Sequence, residues 1–288
     1  ETYAQAIMNS TDVTLDLVHA RTSGSRNTFV QKWSDLGARA ASDIDEIARS
    51  DADFVIVTTP PNARLEIVEQ LAGAGKPILM EKPVERDLKN ACDVVAICAQ
   101  HRVPLGVMLQ HRVRPIVHQL YRILDDLGDI HVVEVSVPWW RNQSYYDEPG
   151  RGTYARDGGG VMISQAIHTL DLMLSLVGPV DTVSSLMATS KSHVMEAEDF
   201  VSAGLRFSSG AVGHFTATTA AYPGRGESIT LHCKYGSVRL EAGTLQIHWR
   251  DGRTQTIGQA ATSGAGADPM AFTSDWHQWM IGDFAKSI

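Results

Sequence analysis

The chain has 288 residues, of which 43% are hydrophobic and 20% are charged, and its formal net charge is −8. We find no apolar run long enough to cross a bilayer, which predicts a soluble globular protein of two domains. Acidic and basic residues are not gathered into blocks of one sign, which argues against a nucleic acid or a membrane surface as partner. A small anionic ligand held by local arginines is compatible with this composition.

The cysteines give no sign of a metal site. Cys92, Cys98 and Cys233 are an odd number and lack metal-ligand spacing. We expect them to be reduced core residues of a cytoplasmic protein, and we expect no bound metal.

The N-terminal part alternates predicted strands with helices, which is typical of parallel strands joined by helical crossovers. In chain order we predict a helix from Glu1 to Asn9, a strand from Val13 to Ala20, a helix through Phe29, Trp33 and Leu36, a strand from Asp53 to Val57, a helix from its N-cap Asn62 to Gly75, a strand from Pro77 to Met80, a helix from Glu85 to Arg102, and a strand from Pro104 to Met108.

Polar residues follow two of these strands at the point where each strand ends. Thr58-Thr59-Pro60-Pro61-Asn62 follows the first of them, and Glu81-Lys82-Pro83 follows the second. Ligands bind at the carboxyl ends of the strands in open parallel sheets. The sequence therefore predicts a cofactor site at this edge, with Lys82 in it.

The pattern changes after Ile130 to alternating segments broken by glycine turns, which is typical of antiparallel hairpins. We predict domains at 1–109 and 110–288, the second being an α+β domain with an open antiparallel sheet after a helix that opens at Pro115. The small-residue segment Ala260 to Ala267 is predicted to be a flexible surface connection. The predicted strands are Asp199 to Phe207, Ala211 to Ala221, Glu227 to Cys233, Ser237 to Glu241, Leu245 to Trp249 and Arg253 to Ile257.

One predicted helix is almost entirely apolar. It runs from Val161 to Val177 after Gly158-Gly159-Gly160, and at 100° per residue Ser164, His168, Asp171 and Ser175 form a narrow polar stripe on it. Buried polar groups need partners. His168 is either a core histidine paired with Asp171 or a functional residue, and metal binding by the two is the weakest reading because no further ligand cluster is evident.

These motifs together resemble the Gfo/Idh/MocA oxidoreductases: Glu81-Lys82-Pro83, the Thr-Pro-Pro-Asn turn before it, and the glycine run followed by His168-x-x-Asp171. The resemblance covers nearly the whole chain, including the Gln110-His111-Arg112 turn. It implies a Rossmann domain that binds NAD or NADP, an α/β domain whose sheet forms a homodimer or homotetramer, and hydride transfer at a sugar or cyclitol carbon. The cofactor contacts that we expect are Arg21, Thr58, Thr59, Pro60, Asn62, Glu81, Lys82 and Gln110.

The chain departs from this family pattern at several points. The glycine-rich loop that cradles the pyrophosphate is expected before Glu1 and a C-terminal tail after Ile288, so the sequence lacks both. The family often has an aspartate where this chain has Ser164, and Leu65 stands in place of a frequent histidine.

Oxidation of a secondary alcohol requires a base beside the nicotinamide. Lysine has a reference pKa of about 10.4, which a positive nicotinamide ring and partial burial both lower. We therefore expect Lys82 to be catalytic, and the alternative is a surface lysine. We expect His168 to bond the reacting oxygen, as part of the proton relay or as the base itself, with Asp171 orienting it.

The segment from Trp139 to Gly160 is the predicted substrate loop. Its aromatic residues suit sugar C–H faces, and Arg141, Arg151 and Arg156 suit a carboxylate or phosphate. The alternative is that the aromatic residues form a domain or subunit interface. If the arginines face the cleft, an acidic sugar or a sugar nucleotide is favoured. The substrate contacts that we expect are Lys82, Trp140, Arg141, Tyr154, Ser164 and His168.

The leading hypothesis is a nicotinamide-dependent sugar dehydrogenase in which Lys82 and His168 converge on one cleft. The alternatives are an NAD-dependent glycosidase that oxidises its substrate transiently and a non-catalytic, cofactor-sensing interaction protein. Arg21 stands where NAD-selective proteins place an acidic residue, so Arg21, with Arg26, makes NADP acceptable. Alternatively, Arg21 only covers the adenine, which serves NAD equally well.

Overall fold

The computed structural model describes residues 1–259 and 273–288. The chain divides into two compact units, the first formed by Glu1–Gln110 and Thr273–Ile288 and the second by His111–Phe272. The prediction that residues 110–288 form a single domain is therefore wrong for the C-terminal segment. The predicted loop Ala260 to Ala267 lies outside the described residues.

The C-terminal helix, Asp275–Ser287, joins the first unit through its apolar face. Ile281 and Phe284, three residues apart, share one core cluster with Ala6, Leu79 and Met108. Residues at this spacing lie on the same side of a helix, so one stripe of the helix is buried against the first unit.

The first unit alternates short strands with helices, as predicted. Its elements are α1 (Thr2–Met8), β1 (Leu17–Val18), α2 (Ser23–Lys32), β2 (Arg39–Ala40), α3 (Ile44–Ala48), β3 (Val55–Val57), α4 (Leu65–Gly73), β4 (Ile78–Met80), α5 (Leu88–His101) and β5 (Leu105–Val107).

All strand pairs in this unit are parallel, which confirms the predicted Rossmann-like sheet. One piece pairs β1 with β2 and the other has the order β3-β4-β5. The pieces correspond to strands 3-2 and 4-5-6 of the classic order 3-2-1-4-5-6.

The predicted start of α4 is wrong. Asn62 lies in a 3₁₀ turn, Pro61–Ala63, and Arg64 is the N-cap of a helix that begins at Leu65. Pro61 restricts the residue before it, Pro60, to extended backbone with ψ of 151°, so the chain enters the turn extended and the helix begins later. Val68, Leu71 and Ala72 of this helix are buried.

The predicted start of α5 is also wrong. The side chain of Asp87 accepts a hydrogen bond from the Asn90 amide at 2.9 Å, so the helix begins at Leu88 and not at Glu85. An aspartate that accepts from the backbone amide of the third residue after it is a standard N-cap.

The second unit packs helices against one face of a large sheet. Its elements are α6 (Pro115–Leu127), β6 (Ile130–Pro138), α7 (Gln143–Tyr146), α8 (Tyr154–Asp157), α9 (Ile167–Val177), β7 (Val180–Ala188), β8 (Phe200–Phe207), β9 (Val212–Thr218), β10 (Ser228–Cys233), β11 (Gly236–Glu241), β12 (Thr244–Trp249) and β13 (Thr254–Gly258).

The eight strands are ordered β13-β12-β11-β10-β6-β9-β8-β7. Every neighbouring pair is antiparallel except β6 and β9, which are parallel, so the predicted antiparallel sheet is in fact mixed. The chain leaves β6, passes through helices α7–α9 to the far edge, and returns through β7, β8 and β9. Alternate residues of β6, Val133, Val135 and Val137, are fully buried in the core.

The helical stretch Tyr154–Val177 contradicts the expectation that no apolar run is long enough to cross a bilayer. Its most apolar window has a mean hydropathy of 1.4, and 44% of that window is buried. His168, Thr169, Leu172 and Met173 of α9 lie in the interior. The core helix of a globular domain meets the same length and composition criteria, so this stretch is weak evidence for a membrane span.

The three cysteines are free. Cys98 and Cys233 are buried, as predicted, and burial raises the pKa of Cys233 to about 11. Cys92 is exposed, so the prediction of a core position is wrong for this residue.

Candidate functional site

The polar residues predicted to form a cofactor edge do follow adjacent parallel strands. Val57 pairs with Met80, and Met80 pairs with Val107, so the three strands end in register. The segments that leave this edge are residues 58–62, 81–83 and 108–110. Thr58, Pro60 and Asn62 are exposed, whereas Thr59, Glu81 and Lys82 are partly buried and Gln110 is buried.

Arg64 connects two of these segments and was not predicted. Its exposed fraction is 2%. The guanidinium donates from Nε to the carbonyl oxygen of Thr59 at 2.7 Å, and from Nη1 to the carbonyl oxygens of Glu81, at 2.5 Å, and Pro83. Burial lowers the pKa of Arg64 to about 10, so it remains a cation at neutral pH. One buried charge therefore holds the ends of β3 and β4 together.

Tyr3 supports the same edge from helix α1. Its hydroxyl donates to Oε1 of Glu81 at 2.8 Å, and the Lys82 amide donates to Oε2 of Glu81 at 2.9 Å. Burial, and next the nearby Glu81 carboxylate, raise the pKa of Tyr3 well above its usual value of 10. The Lys82–Pro83 peptide bond is cis. The Glu81 carboxylate, expected to contact the cofactor, thus braces the backbone of Lys82.

Two buried polar atoms at this edge lack a partner among the described residues. They are the Thr59 hydroxyl oxygen and the Gln110 amide oxygen. Because buried polar atoms are nearly always hydrogen-bonded, these two fit contacts to a polar ligand at the strand ends. Arg21 is exposed beyond β1, whereas Arg26 donates to the Ser42 carbonyl oxygen at 3.1 Å.

In the second unit, His168 stacks on a histidine that was not predicted to be part of the site. The ring centroids of His111 and His168 are 5.0 Å apart and their planes differ by 28°. Their exposed fractions are 5% and 8%. His111 belongs to the Gln110–Val113 3₁₀ turn, so two imidazoles meet where this turn packs on α9.

The predicted polar stripe is interrupted. Residues Met162–Ala166 form a π turn, which changes the angular position of Ser164 relative to the α-helix that follows. Asp171, expected to orient His168, accepts two hydrogen bonds from Arg112 at 2.5 and 2.6 Å. Ser175 is bonded to the hydroxyl of Tyr121 at 2.8 Å. The partner that the structure gives Asp171 is therefore a guanidinium.

The glycine run packs against Glu198, which was also not predicted. The Gly160 and Met162 amides donate to the Glu198 carboxylate at 3.0 and 3.2 Å, and the Val161 amide donates to its carbonyl oxygen at 2.8 Å. A Cβ atom at Gly160 would lie 1.7 Å from that carbonyl oxygen. The run is therefore glycine because the start of the histidine helix touches the Glu198 backbone.

The predicted substrate loop is more closed than expected at Arg141. The exposed fraction of Arg141 is 3%, and its guanidinium lies 5.3 and 5.7 Å from the ring centroids of Trp139 and Tyr145. Trp140 is partly exposed, and Tyr154 is exposed. Arg151 and Arg156 already face carboxylates, Glu148 at 3.0 Å and Asp157 at 3.7 Å.

Within the described ranges, no group of three or more His, Cys, Asp or Glu residues is arranged to hold a metal ion.

The chain belongs to the Gfo/Idh/MocA family. Residues 1–109 match the model of this oxidoreductase family with its NAD-binding Rossmann fold, and residues 117–239 match the model of the family's C-terminal domain. This is an oxidoreductase family with an NAD-binding domain, and inositol 2-dehydrogenase and D-apiose dehydrogenase are among the relatives of this chain.

Known structures and sequences support this membership. The chain is 31% identical to the WlbA dehydrogenase from Chromobacterium violaceum, solved with NADH and UDP-GlcNAcA; the match covers 86% of this chain and 72% of that one, with a TM-score of 0.78. It is 25% identical to inositol 2-dehydrogenase from Rhizobium meliloti strain 1021 over 74% of this chain and 65% of that protein. Levoglucosan dehydrogenase, solved with NADH and levoglucosan, shares the fold at 20% identity, with a TM-score of 0.82 over 99% of this chain and 85% of that one. The chain spans between 45% and 65% of the length of the curated relatives inositol 2-dehydrogenase, MocA and D-apiose dehydrogenase.

Proposed function

We propose that this protein transfers a hydride between NAD or NADP and a CH–OH carbon of a carbohydrate-like substrate: a sugar, sugar acid, sugar nucleotide or cyclitol. The observation that carries the proposal is the position of Lys82, directly after β4, where Glu81, Tyr3 and Arg64 brace its backbone. A lysine fixed at the ligand-binding edge of an NAD-binding Rossmann domain is suited to proton transfer beside the nicotinamide.

The residues of this chain have distinct proposed roles. When bound, the nicotinamide supplies the hydride acceptor. Thr59 and Gln110 bond the cofactor through their buried oxygen atoms, and Lys82 takes the hydroxyl proton as the carbonyl forms. His168 bonds the reacting oxygen, and the stacked ring of His111 fixes its orientation.

A substrate screen tests the proposed reaction. The purified protein is incubated with NAD and with NADP and a panel of sugars, uronates, sugar nucleotides and cyclitols, and reduced nicotinamide is measured. We expect one equivalent of reduced cofactor per substrate oxidised. Glycoside cleavage without net cofactor change supports the glycosidase instead, and cofactor binding without chemistry supports a sensor.

His168 is tested by replacing it with alanine. If it contacts the reacting oxygen, turnover falls by at least about a hundredfold while the melting temperature changes little. A large fall in melting temperature with turnover retained in the folded fraction makes His168 a core residue.

Cofactor choice is proposed to depend on Arg21, because it is an exposed guanidinium after β1. Such a group can bond a 2′-phosphate. In the Arg21→Ala variant we expect NADP affinity to fall about tenfold and NAD affinity to fall less. Equal losses for both cofactors leave Arg21 as an adenine cover.

A homodimer or homotetramer formed through the second unit's sheet is also proposed. Strand β7 is exposed along nearly its whole length, including Val183, Leu186 and Met187. Such an uncovered apolar edge favours pairing with another chain. Sedimentation velocity tests the proposal, and a monomer at micromolar concentration contradicts it. A cytoplasmic location stays a prediction.

A further inference from the structure

The second unit contains a buried, hydrogen-bonded histidine–aspartate pair that the proposed hydride transfer does not use. His193 lies between β7 and β8, and Asp199 directly precedes β8; the exposed fraction of each side chain is 0%. Burying a carboxylate is unfavourable unless partners surround it. Asp199 has such partners in His193 and Ser190.

Both ring nitrogens of His193 face hydrogen-bond acceptors. Nδ1 lies 2.7 Å from Oδ2 of Asp199, and Nε2 lies 2.8 Å from the carbonyl oxygen of Arg141. A carbonyl oxygen only accepts, so Nε2 donates to the Arg141 carbonyl, while Nδ1 is hydrogen-bonded to the Asp199 carboxyl group. The Ser190 amide and hydroxyl also donate to Asp199, at 2.7 and 2.6 Å.

The His193 ring fixes the loop after β6 at one backbone position. While the Arg141 carbonyl accepts from His193, the Arg141 amide donates to the Thr219 carbonyl oxygen at 2.9 Å. The rings of Tyr146 and Trp140 pack on the His193 ring, with centroids 4.8 and 5.9 Å away. The orientation of the partly exposed Trp140 ring therefore depends on the buried His193 ring that packs against it.

We propose that His193 is a positioning residue for substrate binding. The inference rests on the proposed function and on the substrate contact predicted at Trp140. By holding the Arg141 backbone, the His193 ring presents the Trp140 ring in the orientation needed to stack on a sugar ring. Preorganisation lowers the ordering cost of binding and leaves the chemical step unchanged.

Kinetics of two His193 variants provide the first test. His193→Phe keeps an aromatic ring but donates no hydrogen bond, whereas the single amide group of His193→Gln can still donate to the Arg141 carbonyl. We expect His193→Phe to raise the substrate KM at least about tenfold, with kcat and cofactor Kd within about threefold of wild type, and His193→Gln to recover part of that loss. The control is His248→Gln, an exposed histidine on β12, which should match wild type. An unchanged KM, or equal losses in KM, kcat and cofactor affinity, overturns the proposal.

Hydrogen exchange provides a second test that needs no turnover, so it separates failure of this inference from failure of the proposed function. In His193→Phe, we expect amide exchange in Trp139–Asn142 to accelerate at least about tenfold, with β11 and β12 unchanged. If exchange in this loop matches wild type, His193 does not hold the Arg141 backbone, and the inference is wrong even if the protein is an active dehydrogenase. If exchange in the loop accelerates but no substrate is turned over, the structural role of His193 is supported and the proposed function is contradicted.

Discussion

Replacing Arg64 by methionine tests whether one buried guanidinium holds the cofactor edge together. The substitution keeps most of the side-chain volume but leaves the Thr59, Glu81 and Pro83 carbonyl oxygens without their donor. Each hydrogen bond from a charged donor contributes about 1.5–3 kcal/mol to stability. Removing the guanidinium also removes the cost of burying its charge, which offsets part of the loss. We therefore expect the free energy of unfolding of the first unit to fall by about 3–5 kcal/mol.

The assay is urea unfolding combined with amide exchange of β3 and β4, because a chain of two units need not unfold in one step. Arg49→Met is the control, since Arg49 is exposed and pairs with Asp45, one helical turn away; its effect should stay below about 0.5 kcal/mol. Cofactor affinity should also fall in Arg64→Met, because the two segments that Arg64 holds, residues 58–62 and 81–83, begin at the cofactor edge. A stability loss no larger than that of the control refutes this account of Arg64.

Two further variants test other parts of the structure. Gly160→Ala should lower the free energy of unfolding by at least about 3 kcal/mol, because the new Cβ would overlap the Glu198 carbonyl oxygen. The control is Gly24→Ala in α2, where the space around the glycine is open, and it should be neutral or stabilising. Equal effects of the two variants in chemical denaturation would contradict the close approach of Gly160 to Glu198. Burial lowers the pKa of His277, which packs edge-on against Tyr3, so below about pH 6.5 the unfolded chain takes up a proton that the folded chain resists. The melting temperature of wild type should therefore fall more between pH 7 and pH 5 than that of His277→Phe. Parallel plots of melting temperature against pH for the two proteins would show that His277 does not contribute to the pH dependence of stability.

The order of elements could be predicted because their signals are local. Alternation of short apolar runs with helical periods indicates parallel strands with crossovers, and the polar segments after β3 and β4 follow directly in the sequence. The direction in which β6 and β9 pair could not be predicted. A period of two shows which residues face the core but not which neighbour a strand takes.

The supports of the site were missed because their partners are distant in sequence or are backbone atoms. Tyr3 is 78 residues from Glu81, and Glu198 is 38 residues from Gly160. In the sequence Arg64 looks like an ordinary helical residue, because the acceptors of its three hydrogen bonds to Thr59, Glu81 and Pro83 are carbonyl oxygens, which every residue type carries. The π turn before α9 has no sequence signature. A helix drawn at 100° per residue therefore gave the wrong angular position for Ser164 relative to His168.

Turnover of the Lys82→Met variant, measured with the substrate that wild type oxidises best, tests the central claim most directly. Methionine keeps the length of the side chain but cannot accept a proton, so we predict turnover at least about a hundredfold below wild type with cofactor affinity little changed. Lys89→Met, at an exposed lysine of α5 paired with Asp93, is the matched control and should keep wild-type rates. Near-normal turnover by Lys82→Met would remove Lys82 from the reaction and contradict the proposed chemistry at the edge of the Rossmann sheet.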